Sequence, residues 1–219
     1  MSGNIKRGTR KTRKITVKVE ILKALEDLIS LAKIPIESRT AKVCLEAVRD
    51  EGMELEYVPE ELKTPELCLE AIKNLGYALK YVPEKLKTPE LCRKAVKNDG
   101  NALEYVPEKL KSPEICMEAV KNDCESLEFV PESLKSPELC MEAVKKNGEV
   151  LCYVPEKLKT PEICFEAVRN DICGNALEHV PDSIKTSDLC IEAVKNDYDA
   201  LECVPEHLRS QVKAALEAR

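Results

Sequence analysis

Apolar and polar residues recur along this chain in blocks of 24. Residues 88–111 read T-P-E-L-C-R-K-A-V-K-N-D-G-N-A-L-E-Y-V-P-E-K-L-K. Leu91, Cys92, Ala95 and Val96 lie at offsets 0, 1, 4 and 5, which is one face of a helix about ten residues long. Thr88 suits its N-cap, since a hydroxyl there accepts a bond from an orphan N–H of the first turn. Pro89 fits the first helical position, and Glu90 sits near the positive end of the helix dipole. Gly100 predicts the helix end, through a residue of positive φ. Ala102, Leu103 and Val106 restart the helical spacing, and Pro107 blocks continuation by clashing with the carbonyl of Leu103. Val106 is pushed to an extended conformation by the proline after it, and residues 107–110 predict one 3₁₀ turn. Nothing alternates with period two, so no strand is predicted.

The block occurs seven times. Its cysteine falls at Cys44, Cys68, Cys92, Cys116, Cys140, Cys164 and Cys190, and its Val-Pro proline at Pro59, Pro83, Pro107, Pro131, Pro155, Pro181 and Pro205. Both series step by 24 residues, with one step of 26 between the fifth and sixth members. The excess falls at residues 171–174 (D-I-C-G), where a bulge is expected. One such block cannot bury its apolar face alone, and stacking does so. The expectation is an all-α solenoid of seven repeats, each a helix, a shorter helix and a turn, with helical caps. Residues 1–19 form a basic tail, 20–37 a capping helix with apolar residues at helical spacing, 38–209 the repeats and 210–219 a closing helix. Gly52, Gly76 and Gly148 match Gly100, whereas Cys124 and Tyr198 take that slot in two repeats and are expected to fit it less well.

Composition changes this picture little. Trp is absent and aromatics are 4%, so the core is aliphatic with cysteine. Charge adds more. Lys6, Arg7, Arg10, Lys11, Arg13, Lys14 and Lys18 give the tail +7, so a net charge of −6 leaves −13 on residues 20–219. The tail could contact nucleic acid or an anionic surface, but an acidic body weighs against nucleic acid as the partner. No apolar run approaches a membrane span and no secretory pattern is visible, so a cytoplasmic location is expected.

Eleven cysteines, an odd number, raise a metal or redox alternative. No C-x-x-C pair occurs and the histidines are only His179 and His207, so zinc-ligand spacing is absent. The series cysteines read as small hydrophobes of the helix stripe. Cys152, in a slot that usually holds Glu, and Cys173, in the insertion, are the candidate reactive thiols. A second series, Tyr57, Tyr81, Tyr105, Phe129 and Tyr153, continued by His179 and then Cys203, is a candidate binding stripe, because tyrosine combines a large contact area with a polar tip. The Pro-Glu acids form one charged row and the last lysine of each block another, both expected on a solvated face. No nucleophile–base pair or phosphate loop is present, so no catalytic residue, metal or cofactor is assigned.

The segment A-V-K-N-D-G-N-A-L at 95–103, with its copies at 71–79 and 143–151, resembles the tandem-repeat family known as domain of unknown function 4116. The resemblance spans the chain from about Thr40 to Leu208 and brings no catalytic residue with it. At fold level the repeat is also similar to the leucine-rich-repeat variant α-solenoid. The expected function is a non-enzymatic scaffold for protein–protein interaction with an unidentified protein partner.

Overall fold

The computed structural model describes residues 30–217. Each block folds for the reasons its sequence supplies. The Thr88 hydroxyl accepts a hydrogen bond from Leu91 N–H at 3.2 Å, and the threonines and serines at 40, 64, 112, 136, 160 and 186 cap their helices the same way. The resulting α-helices are α1 (Ala41–Asp50), α2 (Pro65–Asn74), α3 (Pro89–Asn98), α4 (Pro113–Asn122), α5 (Pro137–Val144), α6 (Pro161–Arg169), α7 (Ser187–Asn196) and the closing α8 (Glu206–Glu217). In α3 the backbone leaves the helix at Asp99, which is extended (φ −144°). The Asp99 carboxylate then accepts a bond from Asn101 N–H at 3.0 Å and so starts the next element. That element, Gly100–Tyr105, is a six-residue 3₁₀ helix. Val106 and Pro107 are extended, and Glu108–Leu110 forms a second 3₁₀ turn. No strand occurs among the described residues.

The chain divides into two compact units, residues 1–87 and 88–219. In the first, α1 packs on α2, and the 3₁₀ helix Gly52–Tyr57 on Gly76–Tyr81. In the second, α3 through α8 pack each on the next, and the 3₁₀ helices stack in the same order beside them. The core is repetitive. Leu91, Cys92, Ala95, Val96, Ala102, Leu103 and Val106 are buried, as are nearly all of their equivalents, and all seven series cysteines are fully buried.

The glycine reading needs correction. Gly174 alone among the described glycines has positive φ (74°). Gly52, Gly100 and Gly148 serve a close approach. A Cβ on Gly100 would stand 2.6 Å from the Ala119 carbonyl oxygen of the next repeat, and one on Gly52 2.6 Å from that of Ala71. The approach is locked by an asparagine. Gly100 N–H donates to Asn122 Oδ1 at 2.8 Å while Asn122 Nδ2 donates to the Lys97 carbonyl at 2.9 Å. Asn74 treats Gly52 and the Arg49 carbonyl in the same way.

Where Cys124 puts a side chain into this slot, the facing helix α5 is 8 residues long instead of 10. Lys146 replaces the asparagine there and donates to the carbonyls of Val120 and Lys121. Tyr198 has the slot in the seventh repeat, faces no eighth repeat, and is 65% exposed.

At the N-terminal end the described residues carry two 3₁₀ turns, Leu31–Lys33 and Ile36–Ser38, and most of the expected capping helix falls on residues that are not described. Residues 20–29 and the basic tail 1–19 lie outside the described residues. The closing helix starts at Glu206, inside the last repeat, because that Pro-Glu begins an α-helix where the others begin a 3₁₀ turn. In the insertion, Asp171 is buried and accepts bonds from Ala176 and Cys173 N–H, while Ile172 projects at 88% exposure.

Candidate interaction surface

The lysine ending each repeat builds the surface, although its pattern reads as solvated. Lys63, Lys87, Lys111, Lys159 and Lys185 have side chains only 6–9% exposed, and each ammonium pairs with its own Pro-Glu or Pro-Asp carboxylate at 2.5–3.0 Å. Their stems lie along the apolar packing of the turn. A second bond reaches the following repeat. Lys63 donates to the Tyr81 carbonyl at 3.2 Å, Lys111 to that of Phe129 at 2.9 Å and Lys135 to that of Tyr153 at 2.7 Å. Burial pulls the Lys135 ammonium below the usual lysine range. Arginine serves at both ends. Arg39 donates to the Tyr57 carbonyl at 2.7 Å, and Arg209, with no repeat after it, turns back to Val204 and Glu202.

In the four joints made by Arg39, Lys63, Lys111 and Lys135 the acceptor is the backbone of the aromatic series, at Tyr57, Tyr81, Phe129 and Tyr153. The buried cations hold that row in place, and because most are neutralised by their own carboxylates they add little charge to it. Tyr57 is exposed, whereas Tyr81, Tyr105, Phe129, Tyr153 and His179 are half-buried. The Tyr153 hydroxyl is pushed up by partial burial and then by the Glu128 carboxylate, one repeat back, and Tyr81 stands in the same relation to Glu56. In the first unit Lys80 takes the slot of Glu128, and its ammonium lies 5.6 Å from the centre of the Tyr81 ring and 5.7 Å from that of Tyr77.

In the second unit the five longer 3₁₀ helices, those of five or six residues, carry Glu104, Glu125, Glu128, Glu149, Glu178, Asp199 and Glu202 and no lysine or arginine, while the short 3₁₀ turns between them bring Lys109 and Lys157. A recess of about 420 Å³ brings together Tyr153 and His179 with Glu125, Glu149, Cys152 and Glu178. The sequence does not reveal this contrast, because a terminal lysine looks the same whether its ammonium faces water or a carbonyl 18 positions further on.

Cys152 and Cys173 are both exposed. The Cys152 thiol is pushed up by desolvation, and that of Cys173 chiefly by the Glu149 carboxylate, which disfavours the thiolate that reactivity needs. Desolvation raises Cys68, Cys116, Cys140 and Cys164 to about 11. Among the described residues no three His, Cys, Asp or Glu side chains converge to hold a metal. No described helix is long and apolar enough to cross a membrane.

The family profile "Domain of unknown function (DUF4116)" matches six overlapping segments, 42–87, 64–111, 88–135, 112–159, 136–185 and 160–209. The chain belongs to this family. Each DUF4116 segment spans two consecutive blocks, so the profile contains the lysine–carbonyl and glycine–asparagine joints along with the helices they connect. No curated protein matches the chain.

Proposed function

We propose that this DUF4116 array is a non-enzymatic scaffold that binds another protein through the aromatic row of its 3₁₀ helices. One observation carries the reading. Tyr105, Phe129, Tyr153 and His179 recur on successive repeats with rings half-exposed, and the backbones of Phe129 and Tyr153 are pinned by Lys111 and Lys135, so an ordered contact strip exists before any partner arrives. Aromatic side chains held in this way contribute contact area at small cost in conformational freedom. Replacing Tyr153 with a photo-crosslinking phenylalanine analogue tests it. The expected result is a discrete adduct with a single protein, absent when the same analogue replaces the helix-face residue Glu162. Equal labelling from both positions, or a turnover activity in the purified array, overturns the proposal.

A further inference from the structure

We infer that the segment held by the second unit is an extended, lysine- or arginine-rich stretch of the partner protein, an inference that rests on the scaffold reading above. The first unit supplies the pattern. There Glu56 precedes Tyr57 but a cation, Lys80, precedes Tyr81, and the Lys80 ammonium sits over the Tyr77 and Tyr81 rings at 5.7 and 5.6 Å. The rings of this row thus accept an ammonium at cation–π distance, within about 6 Å of the centroid. In the second unit the same slot holds Glu104, Glu128, Cys152, Glu178 and Glu202, so the chain supplies no cation of its own from that position. Carboxylates stand where Lys80 stood, before Tyr105, Phe129 and His179, and Cys152 stands before Tyr153. Such a surface is complementary to positive charge.

Three of the lysines near this face are withdrawn, whereas Lys109 and Lys157 stay exposed and Lys157 pairs with Glu132 at 3.3 Å, so the face keeps an excess of acid. Lys111 and Lys159 are buried against their own carboxylates, and Lys135 donates to the Tyr153 carbonyl. The outer face of the α-helices differs, because its glutamates are interleaved with Lys121, Lys145, Arg169 and Lys195. Charge complementarity therefore favours the 3₁₀ face for a cationic segment. Register narrows the sequence. Packed helices lie ~8–10 Å apart, and an extended chain advances about 3.3–3.6 Å per residue. A cation at every third residue meets one repeat after another.

The probe is a fluorescein-labelled 15-residue peptide with lysine at every third position and serine elsewhere, titrated against the full chain by fluorescence anisotropy. Its comparator has glutamate in place of lysine. The lysine peptide is expected to bind and the glutamate peptide not to. Changing Glu104, Glu128, Glu178 and Glu202 together to Gln is expected to weaken binding about tenfold or more, as the loss of four exposed ion pairs implies. Changing Glu114→Gln, Glu138→Gln, Glu162→Gln and Asp188→Asn removes the same charge from the first turns of the α-helices and is expected to change affinity by less than about twofold, because those acids belong to the helices and not to the row. Tyr153→Leu, which keeps the buried volume, is expected to weaken the lysine peptide severalfold. Circular dichroism confirms that each variant is folded. Equal losses from the two quadruple variants, or no binding of the lysine peptide, overturn the inference. A crosslinked protein at position 153 that the lysine peptide fails to displace overturns it too, while leaving the scaffold reading intact.

Discussion

Replacing Lys111 with Met tests whether the buried cations hold the repeats together. The substitution keeps most of the stem that packs in the turn and removes the ammonium. Two interactions go with it, the 2.9 Å bond to the Phe129 carbonyl and the 2.7 Å pair with Glu108. The second counts for little, because the Glu108 side chain is 74% exposed and water screens the pair. Such exposed pairs contribute about 0–1 kcal/mol. The first is a charge-assisted bond to a part-buried carbonyl, a class that contributes about 1.5–3 kcal/mol. Relief of the lysine's own desolvation offsets part of the loss, so the net cost is expected at about 1–3 kcal/mol. With a urea m-value of a few kcal/mol/M the midpoint falls by roughly 0.5–1 M. Far-UV circular dichroism during urea denaturation reads it. Glu108→Gln is the companion measurement, and it removes only the screened pair, so its cost is expected below about 0.5 kcal/mol. If Lys111→Met leaves the midpoint unmoved, or Glu108→Gln costs as much, the bond across the repeats is not what the lysine is for.

Three further outcomes follow from the packing. Gly100→Ala is expected to destabilise by about 1–3 kcal/mol, because a Cβ overpacks against the Ala119 carbonyl; a gain of about 0.4–1 kcal/mol in the same denaturation assay is what chain entropy alone would give. Cys124→Gly and Lys146→Asn together rebuild the lock seen at Gly100 and Asn122, and a double-mutant cycle is expected to show favourable coupling of about 0.5 kcal/mol or more beyond the two single changes. Native protein treated with a thiol reagent at pH 8 is expected to lose Cys152 and Cys173 first, and the seven buried series cysteines only on unfolding. The buried thiols also set an alkaline limit. Cys68, Cys116, Cys140 and Cys164 are raised from 9.0 to about 11 in the fold. Above pH 9 the unfolded chain releases these protons and the native one retains them, so melting temperature is expected to fall between pH 9 and 11 and to be unaffected by these groups below that window.

The repeat was legible where one local rule decides a position. A hydroxyl before Pro-Glu caps a helix in any context, a proline four residues after Leu103 stops one, and a cysteine within the Leu-Cys-Ala-Val stripe is buried with it. Positions governed by the neighbouring repeat were not legible. Gly100 is compatible with a left-handed turn and with a tight contact, and only the Ala119 carbonyl, 19 residues on, decides between them. Lys111 follows Leu110 in a polar turn and shows no sign that its partner is the carbonyl of Phe129. The aromatic row was visible as a series. Which of the nearby lysines are withdrawn from it was not, because that depends on where the lysine ammoniums end up. Lys80 was the available clue, as the only basic residue in a slot that otherwise holds Glu or Cys.

The lysine–carbonyl joint also bears on how such an array changes length. In the joints described, the cation comes from the end of one block and its acceptor from the middle of the next, so every block carries one of each. Duplicating 24 residues in frame adds a donor and an acceptor together, and deleting 24 removes both. Copy number can therefore drift by whole blocks without any joint having to be reinvented. A duplication that stops short of the terminal lysine would leave an aromatic carbonyl without its donor, and selection would act against it at once. Only the two ends need residues of their own, and there the chain has Arg39 and Arg209 in place of lysine.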